Sequence, residues 1–198
     1  MSASAKQLTA VILAGGKNVR FGGDDKAFML IDGTPVIKVL ARKLDNLFGE
    51  IVVVTNTPGR YAGIEGIVTV TDIIIDKGPL GGIHAAMKRA AAPAIFVVPC
   101  DMPFVDTDVI GMLITRYEKL PGADAVIPVS GGFPEPLHAI YRTGLAGDLE
   151  NFLASSPDLS VRHFIAGLNA DYIEMPDTEK IRRSFTNINT PGDLPEPG

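Results

Sequence analysis

The amino-acid sequence predicts one α/β domain in which a mostly parallel sheet lies between two layers of helices. Short apolar runs rich in β-branched residues alternate with longer amphipathic segments, which is typical of a parallel sheet covered on both faces. Two glycine-rich segments, at 15–23 and 78–82, interrupt this alternation. The 198 residues are enough for one well-buried domain, whereas two full domains would be a tight fit. We therefore treat residues 1–198 as a single domain.

The first part of the chain, about 1–120, repeats a strand-loop-helix pattern. A short apolar segment at 27–31 is followed by a turn at Asp32-Gly33, and Pro35 fits the first turn of a helix. Asp106 fits the N-cap of a later helix. The predicted strands are 8–13, 51–55, 67–71 and 94–98, and the predicted helices are 35–47, 83–91 and 106–120. The loops after these strands leave their carboxyl ends, where open α/β sheets place ligands.

The second part, about 121–198, is less regular and predicts an α+β arrangement. The predicted strands are 123–128, 137–141 and 171–175, and the predicted helices are 145–154 and 161–168. The amino-acid sequence contains no internal sequence repeat and no linker. The order of the strands in the sheet does not follow from the sequence.

Composition and charge exclude several classes of protein. With 46% apolar residues, 21% charged residues and a net charge of −5, the chain is globular and unsuited to binding a nucleic-acid duplex. Cys100 is the only cysteine, which excludes an internal disulfide and a thiolate zinc site. No apolar run approaches the roughly 20 residues of a membrane span, and residues 1–6 lack a signal-peptide pattern. We expect a soluble cytoplasmic protein without membrane or nucleic-acid partners.

The loop after the first strand carries the groups that a triphosphate requires. Gly15 and Gly16 allow a sharp turn with exposed amides, and Arg20 and Lys26 add two cations, with Lys17 as a third candidate. The P-loop and the G-x-G-x-x-G fingerprint are both absent, since no Ser or Thr follows the lysine and the first two glycines are adjacent. The alternative is a solvated surface loop, but long structureless loops are uncommon in compact domains. The sequence favours a triphosphate site.

A carboxylate follows the most strand-like segment of the chain. Asp101 comes three residues after the strand 94–98 and reaches the same edge of the sheet as the glycine loop. One or two carboxylates together with phosphate oxygens and water are what Mg²⁺ prefers, and a triphosphate needs a cation. The alternative is that Asp101 caps turn amides. We interpret Cys100 as a buried small residue, and Asp106 and Asp108 as a helix cap and a first-turn charge.

At this point the motifs resemble those of a known family. The pattern L-A-G-G-x-x-x-R-x-G-G-x-D-K at 13–26 and the C-D-x-P motif at 100–103 resemble those of the molybdenum cofactor guanylyltransferases. These are nucleotidyltransferases with a Rossmann-like fold of the nucleotide-diphospho-sugar transferase type. The resemblance implies that the loop wraps a triphosphate and that Asp101 holds magnesium. By this resemblance the triphosphate loop consists of Leu13, Ala14, Gly15, Gly16, Arg20 and Lys26.

Three further segments match the same family. The resemblance places a base-contacting residue at Asn56 and a nucleotide-contacting carboxylate at Asp72, with Asp76 as the alternative because the spacing to Gly78 differs from that of other members. Without the resemblance, Asn56 is equally well explained as a turn former. The segment GPLGGI at 78–83 resembles the family's G-P-L-A/G-G segment and is suited to close approach by an anion or a base.

The carboxyl-terminal half carries candidates for the acceptor side of the site. The stretch P-L-H-A-x-Y at 136–141 resembles the family and places His138 towards the second substrate, although a histidine on a strand is more often a structural hydrogen bonder. The terminal motif F-x-N-x-N-T-P places Asn187 and Asn189 on one face if the segment is extended. The resemblance suggests that both line the site. His84 and His163 have no partner at metal-ligand spacing.

These matches imply transfer of GMP from GTP to the terminal phosphate of molybdopterin, with release of pyrophosphate and Mg²⁺ as cofactor. Residues 1–120 would bind the nucleotide and residues 121–198 the acceptor, with Arg20, Lys26 and Asp101 as the catalytic groups. The alternatives are cytidylyl transfer to molybdopterin, nucleotidyl transfer to a sugar phosphate, and a nucleotide-binding regulator without catalysis. Weak contacts with other cofactor-biosynthesis proteins are a further expectation. The hypothesis requires Lys26 and Asp101 to share one cleft.

Overall fold

A computed structural model describes residues 5–15, 26–188 and 193. Within these residues, eight strands form one sheet in the order β10-β7-β9-β6-β1-β4-β5, with β8 paired to β7, and β2 and β3 form a separate hairpin. The strands are β1 Thr9–Leu13, β2 Leu30–Ile31, β3 Thr34–Pro35, β4 Glu50–Val54, β5 Val68–Val70, β6 Ala94–Pro99, β7 Ala125–Ser130, β8 Phe133–Pro134, β9 Ala139–Arg142 and β10 Ala170–Glu174. The helices are α1 Val36–Asp45, α2 Gly78–Arg89, α3 Thr107–Glu118, α4 Ala146–Ser155, α5 Val161–Ala166 and α6 Glu179–Ser184.

The sheet is mostly parallel, as predicted. β1 pairs in parallel with both β4 and β6, β4 with β5, and β7 with β10. The exceptions are β8, which returns along β7, and β9, which runs antiparallel between β6 and β7. Because β9 is antiparallel to both neighbours, β6 and β7 point in the same direction, and the main strands share one carboxyl edge.

Two hydrophobic cores lie on opposite faces of the sheet and make the domain three-layered. Alternate residues of β1 show the separation, since Ile12 belongs to the core under α1 and α3, and Val11 to the core under α2, α4 and α5. All five residues of β1 are buried, which explains its continuous apolar sequence. Truncating a buried residue such as Ile12 to alanine would cost about 2–5 kcal/mol.

Most predicted elements are confirmed, and the differences have local causes. Helix α2 begins at Gly78, not at Ile83, so the second glycine segment is the first turn of the helix. The segment 27–31 contributes only the two residues of β2 to a hairpin whose turn is Asp32-Gly33, both with positive φ. Helix α6 was not predicted because it is short and polar, and it begins where the hydroxyl oxygen of Thr178 accepts the Ile181 N–H at 3.3 Å.

Asp106 caps α3 as predicted, accepting the Asp108 N–H at 2.8 Å. Burial opposes its ionisation, but hydrogen bonds from Lys180 and Asp108 hold the pKa of its carboxyl below the usual value. The helix is therefore fixed at the carboxyl edge just beyond the Asp101 loop. Among the described helices, none combines the length and apolar character needed to cross a bilayer.

Candidate active site

The site lies where the direction of the sheet connections reverses. From β1 the chain passes through α1 to β4 on one side, whereas from β6 it passes through α3 to β7 on the other side. Adjacent strands with diverging connections leave a crevice at their carboxyl ends, which is the usual ligand position in open α/β sheets. The glycine loop leaves β1 and the Asp101 loop leaves β6 at this crevice.

The structure brings Lys26 and Asp101 together. Lys26 Nζ donates to Asp101 Oδ2 at 3.3 Å, and both side chains are partly exposed, at 20% and 26%. Lys26 begins the short 3-10 turn Lys26–Phe28, which packs against α1, and Asp101 follows β6. The requirement that these two groups share a cleft is met.

The start of the glycine loop is held to both neighbouring strands. Ala14 N donates to Val54 O at 2.9 Å, and Cys100 N donates to Leu13 O at 3.0 Å. Leu13 and Ala14 are buried, whereas Gly15 is exposed at the edge of the crevice. Among the described residues, a Cβ on Gly15 would meet only Val54 O at 3.8 Å, which is ordinary contact. Without a side chain, Gly15 leaves the backbone at this edge open to close approach by a ligand.

Asn56 and Asp72 form one polar unit beside the loop. Asn56 Nδ2 donates to Asp72 Oδ2 at 3.0 Å, and the Asp72 backbone N–H donates to Asn56 Oδ1 at 3.3 Å. The two bonds fix the orientation of the amide, and Asn56 remains exposed. Asp76, the alternative nucleotide contact, is exposed and has a φ of 60°. Asp72 is therefore fixed beside Asn56, the predicted base contact.

Gly82 allows close packing beside this pair, a role that was not predicted from the sequence. A Cβ on Gly82 would lie 3.1 Å from Leu13 Cδ2, 3.3 Å from Val54 Cγ1 and 3.7 Å from Asp72 Oδ1. The glycine therefore allows the first turns of α2 to pack closely against β1, β4 and the Asn56–Asp72 pair. The available signal was the glycine run itself, which was interpreted as a loop. Gly78 has a φ of +58°, consistent with a sharp entry into α2.

The structure places His138 in the core and not at the site surface. Its imidazole has no exposed surface and packs against the rings of Phe96 and Phe185, with centroids at 5.2 and 4.9 Å. Within the described residues neither ring nitrogen has a hydrogen-bond partner. Burial lowers the pKa of His138 to about 3, so the ring is neutral. The buried ring therefore cannot contact a second substrate, as was expected for His138, and within the described residues it makes no structural hydrogen bond either.

The carboxyl-terminal segment returns to the site beside Asp101. Ile188 N donates to the backbone oxygen of Asp101 at 2.7 Å, and Asn187, immediately before it, is exposed. This places Asn187 close to the Asp101 loop, as expected from the terminal motif. Gly16, Lys17, Arg20, Asn189 and the Thr190-Pro191 cap lie outside the described residues.

The donor set suits a metal that takes most of its ligands from substrate and water. No group of three His, Cys, Asp or Glu side chains at metal-binding distance occurs in the part of the chain that the structure describes. Asp101 Oδ2 accepts from Lys26, and no described group hydrogen-bonds Oδ1 of this partly exposed carboxylate. A single available carboxylate oxygen beside a cation fits Mg²⁺ bound mainly by phosphate oxygens and water.

Comparisons with known proteins identify the family of this chain. Residues 10–171 match the MobA-like NTP transferase domain. A probable molybdenum cofactor guanylyltransferase from Peptoclostridium acidaminophilum is 35% identical, with 94% of this chain and 86% of the relative covered. The crystal structure of molybdopterin-guanine dinucleotide biosynthesis protein A from Archaeoglobus fulgidus is 28% identical, with a TM-score of 0.77 over 94% of this chain and 95% of that chain.

A more distant structure agrees in fold alone. CMP:2-keto-3-deoxy-manno-octonic acid synthetase, complexed with CTP, is 15% identical, with a TM-score of 0.73 over 94% of this chain and 95% of that chain. The nucleotide-diphospho-sugar transferase type of fold expected from the motifs is therefore confirmed. From the domain match and the relatives together, the chain belongs to the MobA-like NTP transferase family.

Proposed function

We propose that this protein transfers GMP from GTP to the terminal phosphate of molybdopterin and releases pyrophosphate. The observation that carries the proposal is the placement of Lys26 against Asp101 at the switch point of the sheet, 3.3 Å apart. The relatives named as molybdenum cofactor guanylyltransferases support this acceptor and this base.

The reaction needs charge neutralisation and positioning more than proton transfer. An oxygen of the acceptor phosphate attacks the α-phosphorus of GTP, and the bond from that phosphorus to the bridging oxygen of the β-phosphate breaks. The electron pair leaves with pyrophosphate. The attacking phosphate is already an anion near neutral pH, so no protein base is required. This agrees with a site in which His138 is buried and neutral.

Each group of residues at the site has a separate role in this reaction. Lys26, together with Arg20 on the same loop, would offset the charge of the triphosphate. Asp101 would hold Mg²⁺, which when bound supplies further positive charge to the phosphate oxygens. The Asn56–Asp72 unit and the first turn of α2 at Gly78 would contact the nucleoside, and Asn187 would face the acceptor.

A nucleotide competition experiment tests the proposal. The protein is incubated with molybdopterin, Mg²⁺ and each of GTP, CTP, UTP and ATP, and pyrophosphate release is measured. We expect release with GTP in preference to the other three. A preference for CTP or UTP would reject the guanylyl assignment, and stoichiometric binding of GTP without pyrophosphate would favour a regulatory protein.

A further inference from the structure

The β7–β8 hairpin lies at the same carboxyl edge of the sheet as the Asp101 loop. β9 pairs Ile140 with Phe96 of β6 and also with Val126 of β7. Asp101 stands five residues beyond Phe96, and Gly131, in the hairpin turn, stands five residues beyond Val126. Two strand spacings separate β6 from β7, or about 10 Å. The hairpin therefore flanks the Asp101 loop on the side away from β1 and its nucleotide loop.

The chain from the hairpin to β9 is held by backbone hydrogen bonds. β9 begins only at Ala139, and beyond its start residues 133–135 pair with β7 on the side that faces β6. Glu135 N donates to Pro128 O at 2.9 Å, and His138 N donates to Glu135 O at 3.0 Å. These two backbone bonds fix the position of Glu135 beside β7.

Phe133 is a large aromatic side chain exposed on a well-defined backbone. It pairs with Ser130 across the hairpin, whose turn is formed by Gly131 and Gly132 with φ of +58° and +81°. Its side chain is 66% exposed. An aromatic ring held out on a rigid turn beside a cleft provides a stacking surface.

Glu135 is a half-buried carboxylate to which no described residue donates a hydrogen bond. No side-chain hydrogen bond or ion pair of this carboxylate occurs within 26–188, where the chain is described without a gap. Burial raises the pKa of Glu135, and the charge of Arg162 on α5 opposes that rise. Removing a carboxylate from water without giving it donors costs free energy, so the site is suited to a ligand that supplies N–H groups.

Resting on the proposed function, we infer that Phe133 and Glu135 recognise the ring of the acceptor. Phe133 stacks on a flat heteroaromatic ring, and the two oxygens of Glu135 accept from its amino group and the adjacent ring N–H. A pterin presents these two donors side by side, in the arrangement that a carboxylate accepts with two parallel bonds. The terminal phosphate of the same molecule then lies towards Asp101.

Steady-state kinetics with molybdopterin and GTP varied in turn test this inference. We expect Phe133→Ala to raise KM for molybdopterin about fivefold. Glu135→Gln should raise it about tenfold or more, because the NH2 group that replaces one carboxylate oxygen is itself a donor and would face the N–H donors of the ring. Phe133→Tyr keeps the ring and should retain the wild-type KM. KM for GTP should change less than about twofold in all three variants.

Matched controls separate ring recognition from general surface effects. Tyr172→Ala removes another exposed aromatic ring, and Asp45→Asn removes an exposed carboxylate at the end of α1. Both should leave KM for molybdopterin unchanged. A direct readout is the fluorescence of free pterin, which stacking on Phe133 should quench in the wild type and not in Phe133→Ala.

The outcomes distinguish this inference from the proposed function. If the wild type releases no pyrophosphate from GTP and molybdopterin, the proposed function fails. If the wild type is active but Phe133→Ala and Glu135→Gln keep its KM for molybdopterin, the recognition of the ring by these residues is wrong and the proposed function stands. GTP binding with wild-type affinity confirms that each variant is folded.

Discussion

Lys26 and Asp101 are 75 positions apart in the chain, and their side chains meet at 3.3 Å at the carboxyl edge of the sheet. Lys26 arrives from the loop after β1 and Asp101 from the loop after the adjacent strand β6. A cation and a carboxylate are thereby held side by side and partly exposed, as a triphosphate with its metal ion requires.

Replacing Lys26 by methionine should reduce kcat/KM for GTP about 100-fold, because one fixed positive charge is lost where negative charge develops. Pyrophosphate release measures the effect, and thermal unfolding confirms that the fold survives. Lys119→Met, which removes an exposed lysine at the end of α3, is the matched control and should behave as the wild type. A wild-type rate in Lys26→Met would show that the lysine only neutralises Asp101.

The Asn56–Asp72 unit predicts a binding defect and not a chemical one. Asn56→Ala removes both hydrogen bonds to Asp72 and should raise KM for GTP about tenfold, with kcat changed less than about twofold. Asn46→Ala serves as the control, since the exposed Asn46 amide bonds only the last turn of α1 through Arg42 O. A selective fall in kcat would instead place Asn56 in the chemical step.

Two glycines in helices predict opposite effects of alanine. Gly111→Ala in α3 should stabilise the protein by about 0.5–1 kcal/mol, because a Cβ there meets nothing within 4 Å. Gly82→Ala should give no such increase in stability and should raise KM for GTP severalfold, because the added Cβ would press on Leu13 and Val54 beside Asp72. Urea unfolding and GTP kinetics measure the pair. If both variants were equally stabilised and Gly82→Ala kept the wild-type KM for GTP, the packing role assigned to Gly82 would be wrong.

His138 predicts a loss of stability in mild acid. Its pKa is about 3 in the folded protein against 6.5 when unfolded, so below pH 6.5 the unfolded chain binds a proton that the folded chain does not. This contribution is present above pH 6.5 and is lost as the pH falls towards 3. Between pH 7 and 5 the free energy of unfolding should fall by about 2 kcal/mol on this account.

Urea unfolding at the two pH values compares the wild type with His138→Leu. The variant should lack this part of the pH dependence. An equal fall in both proteins would show that other groups cause it.

The sequence was sufficient for the elements whose pattern is local. The β-branched runs of β1, β4 and β6 indicated buried parallel strands, and Asp106 indicated the start of α3. Strand order was beyond reach because it depends on distant pairings, such as that of β9 with both β6 and β7. The predicted start of α2 was too late in the chain, because glycine has a low intrinsic helix propensity. In the folded protein the close packing at position 82 requires a glycine within the helix.

The candidate site was predicted to a similar extent. Motifs placed Lys26 and Asp101 correctly at one edge, because the ends of neighbouring parallel strands must meet there. Motifs did not show that Asn56 and Asp72 bond each other, which depends on the loops after β4 and β5. His138 was placed towards the acceptor, but it lies in the turn before β9 and its ring packs into the core against Phe96.

Asp101 is proposed to hold the metal ion of the reaction, and an isosteric substitution tests this role most directly. Asp101→Asn keeps the size of the side chain and the backbone oxygen that accepts from Ile188 N. Pyrophosphate release from GTP and molybdopterin is measured for both proteins as Mg²⁺ is increased. We predict at least about a 100-fold fall in turnover with unchanged thermal unfolding. A wild-type rate at the wild-type Mg²⁺ concentration would contradict the account.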